Sequence, residues 1–254
     1  MYTKEQAEGE DAMGKSTFDV LVLIGRPASG KSEIIDFLQH TPPAVRRRRF
    51  HLADLDVLDD FPLLWTWFEE DRLLSKRLGQ PKLYTGADGH FKYHYLWHLL
   101  IERLSLEYHK RQRDDPHYHD HKTTLIEFSR GSEHGGYTAA FTHLSDDLLR
   151  QAAVVYVQVS FAESLRKNRR RFNPERPDSI LEHGMTDEVL TRLYREDDWA
   201  TFSAGDPHFL TLRSIRLPYV VFANEDDVTT GQPALLAARL EAVLGQLWKL
   251  RQKA

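Results

Sequence analysis

The stretch that most constrains this chain is Phe18–Leu38, FDVLVLI then GRPASGKS then EIIDFL, which reads as strand, loop and helix. The apolar run suits one buried strand, and Ile34, Ile35, Phe37 and Leu38 recur at helical spacing. Between them Gly25, Gly30, Lys31 and Ser32 satisfy the pattern G-x-x-x-x-G-K-[ST]. That pattern is a phosphate cradle. Glycines let the backbone wrap with its N–H groups pointing inward, and the helix that follows adds positive potential at its N-terminus. Gly25, Ala28, Ser29, Gly30, Lys31 and Ser32 are therefore the expected nucleotide contacts, with Lys31 on the β- and γ-phosphates and the Ser32 hydroxyl on Mg²⁺. A plain glycine turn is the alternative. Gly9, Gly14, Lys15 and Ser16 match the same pattern, but they follow the polar MYTKEQAE and carry Glu10 and Asp11 where phosphate would sit. They also run straight into the apolar stretch at Phe18, with no room for a helix, so this second match is read as chance.

Residues 1–17 are polar and charged and read as a flexible tail, leaving residues 18–254 as a single domain. The first helix ends at Thr41-Pro42-Pro43, because proline supplies no N–H and pushes its predecessor out of helical space. Arg46–Arg49 read as a solvated approach to a second strand, FHLAD, with an anion contact at the sheet edge as the alternative. From Val57 to about residue 121 the chain is helical and aromatic-rich, an insertion broken by the glycine-rich loop GQPKLYTGADGH. Leu96, Leu99, Leu100, Arg103 and Leu104 mark a long helix within it, and the aromatics are expected mainly in the core. His117, His119 and His121 alternate, but Asp114, Asp115, Pro116 and Asp120 around them suit an exposed loop better than a metal site.

TTLIEF reads as the third strand, AAVVYVQVS as a fourth buried on both faces, and YVVFAN as a fifth. PALLAARLEAVLGQLWKL closes the chain as an amphipathic helix. Strands separated by helices predict an α/β fold built on a doubly wound, five-stranded parallel sheet, with the helical insertion (about 57–121) between strands two and three. Ligands then bind beyond the carboxyl ends of the strands.

Composition narrows the function. At 254 residues one α/β domain has an ample core, and a net charge of −4 supplies no global basic field for nucleic acid. The absence of cysteine excludes disulfides and thiolate metal sites. No run resembles a signal peptide or a membrane span, so a cytoplasmic protein without a membrane partner is expected. The oligomeric state stays open.

Taken in order, GRPASGKS, the acidic LADLD, the arginine run after strand four, and FANEDD after strand five resemble the P-loop kinase group. That group holds nucleoside and nucleotide kinases, gluconate- and shikimate-type kinases, and zeta toxins. The resemblance covers roughly residues 18–247 and implies a kinase-type P-loop fold with strand order 2-3-1-4-5, using ATP and Mg²⁺. It implies that Asp54 serves the acceptor hydroxyl or the metal, with Asp56 in support, although either could be a helix cap. Glu127, ending strand three, would face Mg²⁺, and Arg130 would bind the acceptor, since EFSR resembles the Glu-Arg-Ser element of deoxynucleoside kinases. Arg166, Arg169 and Arg170 would form a lid (about 162–178), with Arg166 and Arg170 catalytic and Arg169 on the nucleotide. A solvated basic helix is the alternative. Asn224 would lie in the loop wrapping the nucleotide base.

The function implied is phosphoryl transfer from ATP to a small hydroxyl- or phosphate-bearing acceptor, a nucleoside or nucleotide first. Two alternatives stand beside it: a zeta-toxin-like kinase of a sugar nucleotide, and an NTP-driven switch or ATPase acting through protein partners. Against the switch, no run of four apolar residues ends in Asp-Glu.

Overall fold

A computed structural model describes residues 16–171 and 185–254. The expected tail up to residue 15, most of the second phosphate-loop match, and residues 172–178 of the expected lid lie outside the described residues.

The first strand, β1 (Val20–Gly25), is buried along its whole length. That explains its continuous apolar run, because a central parallel strand is covered on both faces. The phosphate loop leads from it into α1 (Lys31–His40), whose Ile34, Ile35 and Leu38 turn inward. The next segment differs from expectation. The arginine run is helical, in α2 (Pro43–Phe50), and β2 spans Asp54–Asp59 rather than FHLAD. Proline at the start of a helix is pre-organised, and arginine is a good helix former. Nor is the run wholly solvated. Arg46 is buried and donates to the carbonyls of Ala53, Leu38 and Thr41, tying the turn after α2 to the end of α1.

The insertion follows as α3 (Phe61–Arg77), α4 (Tyr95–Asp114) and a single helical turn, α5 (Tyr118–His121). Trp67, Leu96 and Leu100 form its small core, with Tyr84 stacked on Trp67 at 5.0 Å. Asp71 on α3 is almost fully buried and accepts from the N–H groups of Leu83, Tyr84 and Thr85 and from the Thr85 hydroxyl. His117 pairs with Asp120, His121 with Asp115, and His119 lies 2.9 Å from the Tyr108 hydroxyl. The three imidazoles thus have separate partners, and among the described residues no three His, Asp or Glu side chains are arranged to hold a metal.

After β3 (Lys122–Phe128) come α6 (Gly136–Thr142), α7 (Asp146–Gln151), β4 (Ala152–Gln158), α8 (Phe161–Arg171), α9 (Asp187–Tyr194), α10 (Trp199–Phe202), β5 (Phe209–Leu212), β6 (Ile215–Ala223) and α11 (Pro233–Arg251). The sheet is not the five-stranded parallel one expected. It has six strands in the order β2-β3-β1-β4-β6-β5 and is mixed, because β5 folds back antiparallel on β6. The cause is a two-residue turn at Arg213 and Ser214, whose φ values of 46° and 70° are both left-handed. Such turns match the twist of an antiparallel pair. Neither residue is the Gly or Asn that would announce the turn, so the hairpin is silent in the sequence. The doubly wound parallel sheet is therefore corrected to a mixed one.

Apolar side chains fill both faces of the sheet. One core joins β1, β3 and β4 to α4, α6 and α7, and the other joins them to α1, α2 and α11. Each buried Val, Leu or Ile contributes roughly 1.5–3 kcal/mol, so these two layers dominate the folding energy. Among the described residues no helix is long and apolar enough to cross a membrane.

Candidate active site

The loop Gly25–Ser32 is held from beneath. A Cβ at Gly25 would lie 2.5 Å from the Val157 carbonyl, so β4 passes too close for any side chain there. Gly30 has φ 110° and would drive a Cβ to 2.5 Å from Asn224 Nδ2, so conformation and space both require glycine. Ala28, at φ 55°, takes a left-handed conformation without being glycine. The Ser29 hydroxyl is buried without a hydrogen-bond partner among the described residues. Such strain and unmet polarity are tolerated where the surroundings over-determine the backbone, as they do at many ligand clamps.

Asn224 is fully buried below this loop, donating 2.7 Å to the Ser29 carbonyl and 2.9 Å to Thr229 Oγ1. Its side chain positions the loop from underneath.

Lys31 is buried, and its ammonium donates to the carbonyls of Gly25 (3.2 Å) and Arg26 (2.9 Å) and to Ser129 Oγ (2.9 Å). Glu127 Oε1 is 3.8 Å away. Burial pulls the Lys31 pKa down against the opposing pull of Glu127 and Asp59. The parallel register then adds two acids. Asp59 stands opposite Glu127 at the carboxyl ends of β2 and β3, and Asp60 follows it. Burial, and after it the charges of Glu127 and Asp60, push the Asp59 carboxyl up to about 7. Burial also raises Glu127, which accepts a hydrogen bond from Ser32. Asp60 is committed to Arg130 at 2.6 Å. Arg130 is itself buried, donating to the carbonyls of Ser129 and Trp97. Three carboxylates therefore share this end of the sheet with two cations.

The expected acceptor acids lie elsewhere. Asp54 opens β2 instead of closing it, in register with Lys122, and pairs with Arg46 at 2.9 Å. Asp56 accepts from Arg111 (2.6 Å) and from the Tyr118 hydroxyl (2.7 Å), tying α4 and α5 to the edge of the sheet. Neither joins Lys31 and Glu127. The shift of β2 along the chain is the reason. Asp59 and Asp60 take the strand end, and the signal for them was the alternation of acid and apolar residues through DLDVLD.

The arginines of α8 separate in the same way. Arg166 and Arg170 converge on Asp227, at 3.1 and 3.6 Å, in the turn after β6. Arg169 points to Asp187 on α9. Arg171 reaches Glu33, the neighbour of Ser32, and its charge is felt at Lys31. Burial lowers its pKa, which marks it as the most desolvated guanidinium of the run to be shifted. Sequence reasoning placed it in the run without assigning it a role.

Oxygen donors alone surround this point: the exposed Ser32 hydroxyl, Glu127 and Asp59. A hard divalent cation such as Mg²⁺ fits that donor set, because it takes one or two carboxylates and completes its shell with water and phosphate. Beside Asp59 a pocket of about 100 Å³ is floored by Leu58, Leu63, Leu100 and Leu104 and carries Asp60, Arg103 and Glu107.

No family model and no curated protein matches this chain. Solved structures similar to it include an unliganded sugar kinase from Janibacter sp. HTCC2649, with 14% identity, 90% of this chain and 95% of that chain covered, and a TM-score of 0.42. Another is APE1195, with 14% identity, 90% and 98% covered, and a TM-score of 0.40. The resemblance to the P-loop kinase group is corrected accordingly. The similar structures include a sugar kinase rather than a member of that group, and no family model restores the assignment. A likeness this slight assigns no other family in its place.

Proposed function

We propose that this chain transfers a phosphoryl group from ATP to a hydroxyl of a small, sugar-like acceptor. The observation that carries the reading is the meeting of Lys31, Glu127 and the raised carboxyl of Asp59 at one strand end, above a loop shaped by Gly25 and Gly30. Loop N–H groups, the α1 N-terminus and Lys31 would hold the phosphates, and Arg171 would add charge from the side. Ser32 and Glu127 would hold Mg²⁺, which offsets charge on the transferring phosphoryl group. Asp59, with a pKa near the working pH, is suited to take the acceptor proton. Phosphoryl transfer needs little beyond such positioning and neutralisation.

The acceptor reading follows from the pocket beside Asp59. Leucines can pack against the C–H face of a ring, while Arg103 and Glu107, themselves 3.5 Å apart, put one donor and one acceptor group beside its hydroxyls. Its volume favours one ring over an acceptor as long as a nucleoside. The nucleoside and nucleotide reading therefore yields to the sugar, free or within a sugar nucleotide.

The test is ADP formation by the purified protein with ATP and Mg²⁺ across monosaccharides, sugar nucleotides and nucleosides. We expect slow hydrolysis alone and a sharp rise with at least one monosaccharide or sugar nucleotide. Turnover restricted to nucleosides, or failure of a non-hydrolysable ATP analogue to raise the melting temperature, would overturn the reading.

A further inference from the structure

A second polar cavity lies at the opposite end of the sheet from Lys31. It holds about 220 Å³ and is lined by Arg150, Arg213, Ser214, Arg216 and Arg251, with Ile215 and Ala254 completing the lining. Arg150 sits just before β4, and Arg213–Arg216 form the β5–β6 turn and the start of β6. The four guanidinium groups come from three separate elements, yet they gather around one space in a chain whose net charge is −4.

Two of them build the wall. Arg213 donates to the carbonyls of Thr142 and Leu144, each at 2.6 Å, and pairs with Asp146 at 2.8 Å. Arg251 donates to the Arg150 carbonyl at 2.7 Å. The other two are loosely held. Arg150 lies 3.8 Å from Asp146, and Arg216 lies 3.8 Å from Asp206 while covering the Phe209 ring. Both distances exceed a hydrogen bond, so planar forks with several donors each are left facing the cavity. No Asp or Glu is among its lining residues, and the two carboxylates that pair with the four arginines from beyond the walls, Asp146 and Asp206, offset their charge only in part.

We propose that this cavity is a second binding site, for a small and multiply charged phosphate anion such as the diphosphate group of a metabolite. Guanidinium forks match phosphate oxygens two at a time, and Arg150 and Arg216 would close on the anion while Arg213 and Arg251 hold the frame. The size of the cavity and the acidic balance of the chain favour a small ligand over a nucleic acid, which needs an extended basic track. The site is independent of the phosphate loop and stands whether or not the proposed transfer is correct.

Inorganic pyrophosphate is the probe, followed by calorimetry on the full chain and on Lys31→Ala. Binding should survive Lys31→Ala, weaken with added salt, and fall about tenfold or more in Arg150→Gln/Arg216→Gln, since each lost contact is a charged hydrogen bond. In the unaltered protein, pyrophosphate should slow phenylglyoxal modification of Arg150 and Arg216, read by mass spectrometry. That arm remains decisive even if a variant fails to fold. Unslowed modification, binding that vanishes with Lys31→Ala while the protein stays folded, or a short oligonucleotide that binds more tightly than pyrophosphate would each overturn the proposal.

Discussion

Two clusters of like charge flank the phosphate loop, and the fold treats them in opposite ways. Asp59, Asp60 and Glu127 are drawn inward around Lys31 and Arg130, with more carboxylates than cations. Arg166, Arg169 and Arg170 stay near the surface, the first and last sharing Asp227 and Arg169 facing Asp187, where water screens the pairing. Burial makes ionisation costly at Asp59 and Glu127. The difference comes from desolvation and incomplete compensation. Those two conditions shift a carboxyl toward neutral pH, and the proposed function rests on that shift.

The sharpest way to break this comparison is to remove the cation that the acids share. Lys31→Ala should lower phosphoryl transfer by about 10³-fold or more, because preorganised charge at the reacting group is often the largest catalytic contribution. Retained turnover would place the site elsewhere. Next comes Asp59→Asn, expected to cost about 10²–10⁴-fold in turnover with ATP still bound. It has a second readout in the metal-free protein. The folded carboxyl titrates near 7 and the unfolded one near 3.8, so the native state loses stability as pH rises between those values. Asparagine removes that loss. Its gain in melting temperature should therefore be larger at pH 8 than at pH 5, and a gain equal at both would contradict the shift.

Within the arginine run the effects should divide by burial. Arg171→Ala should reduce turnover about 10- to 100-fold, whereas Arg169→Ala should stay within about threefold, because exposed pairs contribute little. Equal losses in steady-state assays would erase the distinction between them. Smallest of all is Asp54→Asn. Its carboxylate meets Arg46 at a half-exposed position at the other end of β2, so activity should stay within about twofold and stability within about 1 kcal/mol. If Asp54→Asn silences the protein and Asp59→Asn does not, the placement of the acids is reversed.

How much of this was legible in the chain depends on how local the cause was. The strand, loop and helix of Val20–His40 follow from their own residues, as do β3, β4 and the last helix. The β5–β6 hairpin was hidden because Arg213 and Ser214 carry no turn signal. β2 was misplaced by a few residues because arginines read as polar spacers, while Arg46 in fact satisfies carbonyls in the interior. That slip moved the acids from Asp54 and Asp56 to Asp59 and Asp60. The roles of Arg130 and Asn224 depend on partners more than 60 residues away, which no local pattern reveals.

Asp71 has a consequence for how the insertion moves. A loop with three glycines and a proline should exchange its amide hydrogens freely and be cut readily by proteases. The N–H groups of Leu83, Tyr84 and Thr85 are instead bound to one buried carboxylate on the neighbouring helix. Those amides can exchange only when the carboxylate lets go, which also exposes the stacked Trp67–Tyr84 pair. The middle of the loop is thus tied to α3, one of the two helices that line the pocket beside Asp59.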